Sequence, residues 1–164
     1  MSEEVKIRFG ELSDVKHLVE WLLEPGVLRW FPMYNKLEVE DAAKIWASYA
    51  KYKALLTAEV NGEACGIANL YLQPYKKLSH HALFAIIVKE KFRGQGIGKK
   101  LVEELIDLAK NRFNMELLLL EVYEGNPAKR LYERMGFKQF GYQKNCIKEA
   151  DGTYLGKFFM QRKL

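Results

Sequence analysis

Between residues 92 and 100 the chain reads FRGQGIGKK, with Gly94, Gly96 and Gly98 at every second position among Arg93, Lys99 and Lys100. Glycine admits positive φ and lets another molecule approach the peptide plane. Successive main-chain N–H groups at a helix start form a concavity matched to phosphate. From Lys89 to Lys100 five basic residues stand against one acid, Glu90. The stretch either holds an anion or makes a tight turn from a strand into a helix. Two phosphate motifs fail by position. A nucleoside-triphosphate loop needs a glycine where Arg93 stands and a hydroxyl residue where Lys100 stands. A dinucleotide fingerprint needs a third glycine where Lys99 stands.

The elements that must position this turn follow from hydrophobic period. Residues 80–88, HHALFAIIV, form the strand leading into it; apolar nearly throughout, that strand is expected to be buried on both faces. In 97–113, Ile97, Leu101, Leu105 and Leu108 recur along one face of a helix. Upstream, 5–10 read as a strand, 13–23 as a helix capped by Ser13 and ended by Pro25 and Gly26, and 38–52 as a second helix. An irregular aromatic loop separates the two helices. Strands on either side of Asn61-Gly62 make a hairpin. Downstream, 115–123 is a central strand, and 126–136 a short helix with Asn126 at its cap, Pro127 at its first position and Gly136 past its end. Strands 137–143 and 154–164 flank an Asp151-Gly152 turn. This order predicts one α/β domain over 1–164, a mixed sheet with helices on both faces and a ligand at the carboxyl ends of the central strands.

What remains of the glycine turn is Arg93, Gly96 and Gly98 in the order R-x-x-G-x-G. With residues 120–137, LEVYEGNPAKRLYERMGF, it makes the sequence resemble the GNAT superfamily of acyl-CoA-dependent N-acyltransferases. An Arg/Gln-x-x-Gly-x-Gly/Ala turn after a central strand is that family's pyrophosphate loop. Asn126, the Leu131-Tyr132 pair and Gly136-Phe137 stand in register with its second segment. The resemblance covers residues 83–143 well, and the element order fits from residue 5 onward. It implies a GNAT-like, mostly antiparallel sheet of about seven strands, splayed at its centre and flanked by about four helices. It also implies an acetyl-CoA:amine N-acetyltransferase working by direct transfer in a ternary complex. On this resemblance the amides of Arg93, Gly94, Gln95, Gly96, Ile97, Gly98 and Lys99 cradle the pyrophosphate of acetyl-CoA. The pantetheine pairs like an added strand with the backbone near Ile86 and Val88, Asn126 reaches the pantetheine, and Lys99 or Lys129 meets the adenosine 3′-phosphate.

Transfer of an acetyl group to an amine needs a neutral amine, stabilisation of an oxyanion and protonation of the leaving thiolate. The resemblance assigns the last task to Tyr132; the alternative is a tyrosine closing the core. Main-chain N–H at a bulge near Val88 would hold the oxyanion. Family members often carry an acid about where Leu83 stands, and leucine accepts no proton. The base then has to come from elsewhere, with Glu121, His80 and His81 as candidates. The same fold draws its acceptor wall from the loop between the first two helices and from the last hairpin. That names Trp30, Phe31 and Tyr34 as substrate-binding, with packing under the loop as the alternative for the first two. The acceptor is expected to be a small-molecule amine or amino acid. The alternatives are a protein N-terminus or lysine, and a domain that binds acetyl-CoA without turnover.

Composition narrows the classes. The chain has 164 residues, 49% hydrophobic and 29% charged, with a net charge of +5. Basic and acidic residues interleave and form no stripe, so nucleic acid is not an expected partner. Cys65 and Cys146 give neither a disulfide framework nor a metal pattern, and Cys65 sits in an apolar stretch as an inert thiol would. No apolar run approaches the roughly 18 residues of a membrane span. A cytoplasmic enzyme without metal or membrane attachment is expected, with a homodimer as one arrangement open to it.

Overall fold

The strands are β1 (Val5–Phe9), β2 (Leu55–Val60), β3 (Glu63–Tyr71), β4 (His81–Val88), β5 (Leu117–Tyr123), β6 (Lys138–Lys148) and β7 (Tyr154–Lys163). In the computed structural model, which describes residues 3–164, they form one sheet in the order β1-β2-β3-β4-β5-β7-β6. Neighbours are antiparallel except β4 with β5. The Asn61-Gly62 turn joins β2 to β3 with φ of 50° and 79°, the left-handed pair that suits the twist of a two-residue hairpin. Helices α1 (Val15–Leu22) and α2 (Lys36–Ser48) cover one face of the sheet; α3 (Ile97–Asp107) and α4 (Ala128–Arg134) cover the other.

Strand alternation sorts the core into two layers. Ala82, Phe84, Leu118 and Leu120 pack with Leu101, Leu105 and Tyr132 under α3 and α4. Leu55, Ile67 and Ile87 pack with Trp21, Leu22 and Trp46 under α1 and α2. The expected face of α3 is buried throughout, Ile97, Leu101 and Leu105 being at most 1% exposed. At the centre, β4 and β5 share only the pairs His81↔Leu117, Ala82↔Leu118 and Leu83↔Leu119. Beyond them β4 follows β3 as far as Val88↔Gly66, while β5 follows β7 as far as Tyr123↔Lys157. The sheet therefore splits down its middle, as the family resemblance implies.

Several local expectations are corrected. Ser13 does not cap α1. Asp14 organises that start instead: its buried carboxylate accepts from the Glu11 N–H, from Thr57 Oγ1 and from both ends of the Arg8 guanidinium. Helix α2 begins at Lys36, because Asn35 Oδ1 accepts from the Glu38 N–H at 3.0 Å. Strand β4 is fully buried only at Ala82 and Phe84 on one face and Ile87 on the other; Leu83, Ala85, Ile86 and Val88 are half-buried where the split removes their cover. Strand β6 runs on to Lys148 through an irregular register between Gln143 and Ile147. No bulge occurs at Val88, since the β3–β4 register is unshifted; a bulge lies one strand away, where β3 passes Ala58 and Glu59 of β2.

Candidate active site

A cavity of about 640 Å³ occupies the split. Its lining includes Leu83 and Ala85 from the α1–α2 face and Phe84, Ile86 and Val88 from the α3–α4 face, so it runs through the sheet. The phase of the β4 backbone decides what it presents there. His80 O accepts from the Leu117 N–H, and the Lys89 N–H donates to Cys65 O on β3. By alternation, even-numbered residues of β4 turn their main-chain groups toward β5. Past Leu83 no strand meets them, so the main-chain groups of Ile86 and Val88 face the gap. An extended ligand can add there as a strand. Val88 O accepts from Arg93 Nε at 3.0 Å, which closes one end of that edge.

The glycine turn follows directly. The first main-chain bond of α3 runs from the Lys100 N–H to Gly96 O at 3.1 Å. The N–H groups of residues 94–99 precede it and have no acceptor among the described residues. Gly94 and Gly96 have φ of 76° and 81°, which explains the residue type at both positions. Gly98 has ordinary φ, and an added Cβ would meet Val88 and Leu131 only at 3.8 and 3.9 Å. Its smallness is therefore not needed by the fold; it leaves the mouth of the turn open. Together the free amides, the open turn and the unpaired edge fit the pyrophosphate and pantetheine of acetyl-CoA.

Asn126 lines the cavity, and its Oδ1 accepts from the Ala128 N–H at 3.0 Å, which caps α4 and leaves the amide N–H groups for a ligand. The side chains of Lys99 and Lys129 do not line the cavity. Lys99 pairs with Glu103 at 3.9 Å, and Lys129 pairs with Glu133 at 3.2 Å with its ammonium over the Phe158 ring. Gln95 turns back to Lys91 O.

Tyr132 and Glu121 both reach the cavity, from opposite faces of the sheet. Tyr132, on α4, packs edge-on against Phe84 and Phe137 and is 9% exposed. Burial alone pushes its phenol up to about 12, so it stays protonated through the physiological range. Among the described residues no side-chain hydrogen bond acts on its hydroxyl. Glu121 shares the face of Leu119 and Tyr123, where α1 and α2 lie, and pairs with Lys157 of β7 at 3.2 Å. A proton donor and a proton acceptor thus flank the gap from its two sides.

The loop between α1 and α2 supplies the wall on the Glu121 side. Trp30 and Phe31 line the cavity, and Trp30 reaches the turn before α4, where a Cβ on Gly125 would lie 3.9 Å from its ring. Tyr34 does not join them; it is 66% exposed, outside the lining. His80 and His81 stack edge-to-face with centroids 4.8 Å apart at the paired end of β4, away from the cavity. Strand direction explains this: they stand where β4 and β5 meet, and the cavity lies where they part. The cavity also contains Trp46, Tyr71, Tyr123 and Lys157, which the motifs do not single out. Burial raises the Tyr71 phenol and pushes that of Tyr123 up to about 12, so both are neutral hydrogen-bonding groups. Cys65 is buried, its Sγ near Ala58 O, and burial pushes its thiol up to about 11.

The chain is similar to known proteins. Residues 15–137 match the model of the acetyltransferase (GNAT) family. The chain is 28% identical to an L-amino acid N-acetyltransferase of Escherichia coli, over 97% of this chain and 98% of that protein. It superposes on the crystal structure of a ribosomal-protein-alanine N-acetyltransferase from Brucella melitensis with a TM-score of 0.81 at 26% identity, covering 97% of this chain and 99% of that one. A Salmonella typhimurium protein solved with acetyl-CoA has the same fold, with a TM-score of 0.81 at 22% identity, covering 98% and 94% of the two chains. The chain belongs to the GNAT acetyltransferase family. It is an acyltransferase that takes its acetyl group from acetyl-CoA and delivers it to an amine.

Proposed function

We propose that the acceptor is the primary amine of a small molecule or amino acid, acetylated directly in a ternary complex. The observation that carries this reading is the cavity running through the sheet, with Tyr132 on one side and Glu121 on the other. Acetyl-CoA supplies an activated thioester. The free amides of residues 94–99 hold its pyrophosphate, the edge of Ile86 and Val88 takes the pantetheine as a strand, and the Asn126 amide fixes it laterally. An alkylammonium has a pKa near 10, so it must lose a proton before attack. Glu121 is the group on the acceptor side able to receive it. Tyr132 gives a proton on the other side; the burial that keeps its phenol neutral also makes a thiolate released beside it more basic. Trp30 and Phe31 exclude water and contact the acceptor.

The size of the cavity supports a small acceptor, since pockets for small molecules run about 300–1,000 Å³. The likeness to a ribosomal-protein acetyltransferase favours a second reading, in which a protein N-terminus enters from the Trp30 side. Thiol release measured with free amino acids, simple amines and short peptides separates the two. Turnover of free amino acids is expected; turnover confined to peptides would transfer the assignment to a protein acceptor. Within this reading the enzyme works in the cytoplasm, where its unpaired thiols stay reduced. Self-association would use the outer hairpin, where Phe140, Tyr142 and Tyr154 are exposed.

A further inference from the structure

Among the residues lining the cavity only Arg93, Glu121 and Lys157 carry charge. Arg93 is engaged with Val88 O at the acetyl-CoA end. The acceptor end therefore holds one carboxylate and one ammonium, 3.2 Å apart, among aromatic and aliphatic side chains. Register explains how they meet. Glu121 pairs with Phe159 and Tyr123 with Lys157, so Lys157 lies diagonal to Glu121 on the same face of the sheet. Its side chain is only 17% exposed and its ammonium lies 5.1 Å from the centroid of the Phe159 ring, which holds it beside Glu121 rather than out in solvent.

This arrangement is ill suited to a simple amine. Such an acceptor arrives as a cation, and an ammonium beside the proton-accepting carboxylate repels it. A molecule carrying its own carboxylate next to the amine removes that conflict: its anion pairs with Lys157 while its ammonium meets Glu121, and four charges alternate in sign. We propose that Lys157 binds the α-carboxylate of an amino-acid acceptor and so selects α-amino acids over amines that lack one. This rests on the small-acceptor reading above. The side chain of such a substrate would lie against Trp30, Phe31 and Trp46, whose rings form the apolar part of the same end.

The test compares L-leucine, L-leucinamide and 3-methylbutylamine as acceptors for the wild type, Lys157→Met and Lys157→Arg. Calorimetric acetyl-CoA affinity and thermal melting confirm that each variant is folded. The wild type is expected to prefer L-leucine to the other two by about 30-fold or more in kcat/KM. In Lys157→Met the ratio of L-leucine to 3-methylbutylamine should collapse by a similar factor, through KM for L-leucine, while Lys157→Arg should keep most of it. A wild type indifferent to the carboxylate overturns the proposal and leaves the small-acceptor reading intact. A Lys157→Met enzyme that loses both acceptors in equal proportion also overturns it, because a residue that only supports Glu121 would act in that way. Turnover of peptides with none of the three acceptors overturns both.

Discussion

The Tyr132 ring fills the layer between Phe84 and Phe137, and its hydroxyl stands at the cavity. These roles separate cleanly, because phenylalanine keeps the ring and removes only the oxygen. Tyr132→Phe should leave the melting temperature and the KM for acetyl-CoA nearly unchanged and lower kcat about 100-fold, as loss of a general acid does. Steady-state kinetics beside a thermal melt decide it; a Tyr132→Phe enzyme with full kcat would return the tyrosine to a packing role. Glu121 shows how much of such chemistry sequence reveals. Its position after four leucines names it as a candidate base, yet its partner Lys157 lies 36 residues further along and is joined to it only by strand register. A lysine in an amphipathic strand reads as a solvated residue until the strand order is known.

At the scale of elements, the β4–α3 connection is the most legible part of the chain, because its glycines record backbone requirements directly. Gly94 and Gly96 need positive φ, and Gly98 keeps the mouth clear. Gly96→Glu combines a strained conformation with a negative charge among the amides meant for phosphate. It should weaken acetyl-CoA binding at least about 100-fold while costing about 1 kcal/mol of stability. Calorimetry with a melting curve tests this, and retained affinity would remove the turn from the acetyl-CoA site. Other elements were less legible because apolar content does not report what covers a strand. Strand β4 looks doubly buried, but Leu83 and Ala85 on one face and Ile86 and Val88 on the other are half-buried and open to the cavity. The starts of α1 and α2 were displaced for another reason: Asp14 and Asn35 act through hydrogen bonds that compete with nearby Ser13 and with helical spacing. His80 and His81 suit a base by residue type alone, and the direction of β4 puts them at its paired end, away from the cavity.

For the molecule as a whole, Asp14 joins β1, β2 and the start of α1 through Arg8, Thr57 and the Glu11 N–H. Burial works to raise this carboxyl, but the bonds from Arg8, Glu11 and Thr57 outweigh it and hold it below its ordinary value. A carboxyl depressed in the folded state stabilises the fold above its unfolded pKa of about 3.9, and that contribution is lost as pH falls through the lower folded value. Asp14→Asn should therefore cost about 2 kcal/mol at pH 7, with the gap from wild type closing below about pH 4. Melting curves across pH 3–7 test this; a gap that persists undiminished to pH 3 would attribute the loss to packing. The order of elements, the sheet's family and the glycine turn's open backbone were visible in sequence, since each is written in local patterns. The opposite wall of the cavity was legible only in part: Trp30, Phe31 and Glu121 could be named, but Trp46, Tyr71, Tyr123 and Lys157 join them only in the completed sheet. The edge and turn from Ile86 to Lys99 that fit the donor form one run of chain, while Trp30, Phe31, Glu121 and Lys157 sit on separate segments across the gap. A change in the loop or in a hairpin residue alters that wall without touching the run from Ile86 to Lys99.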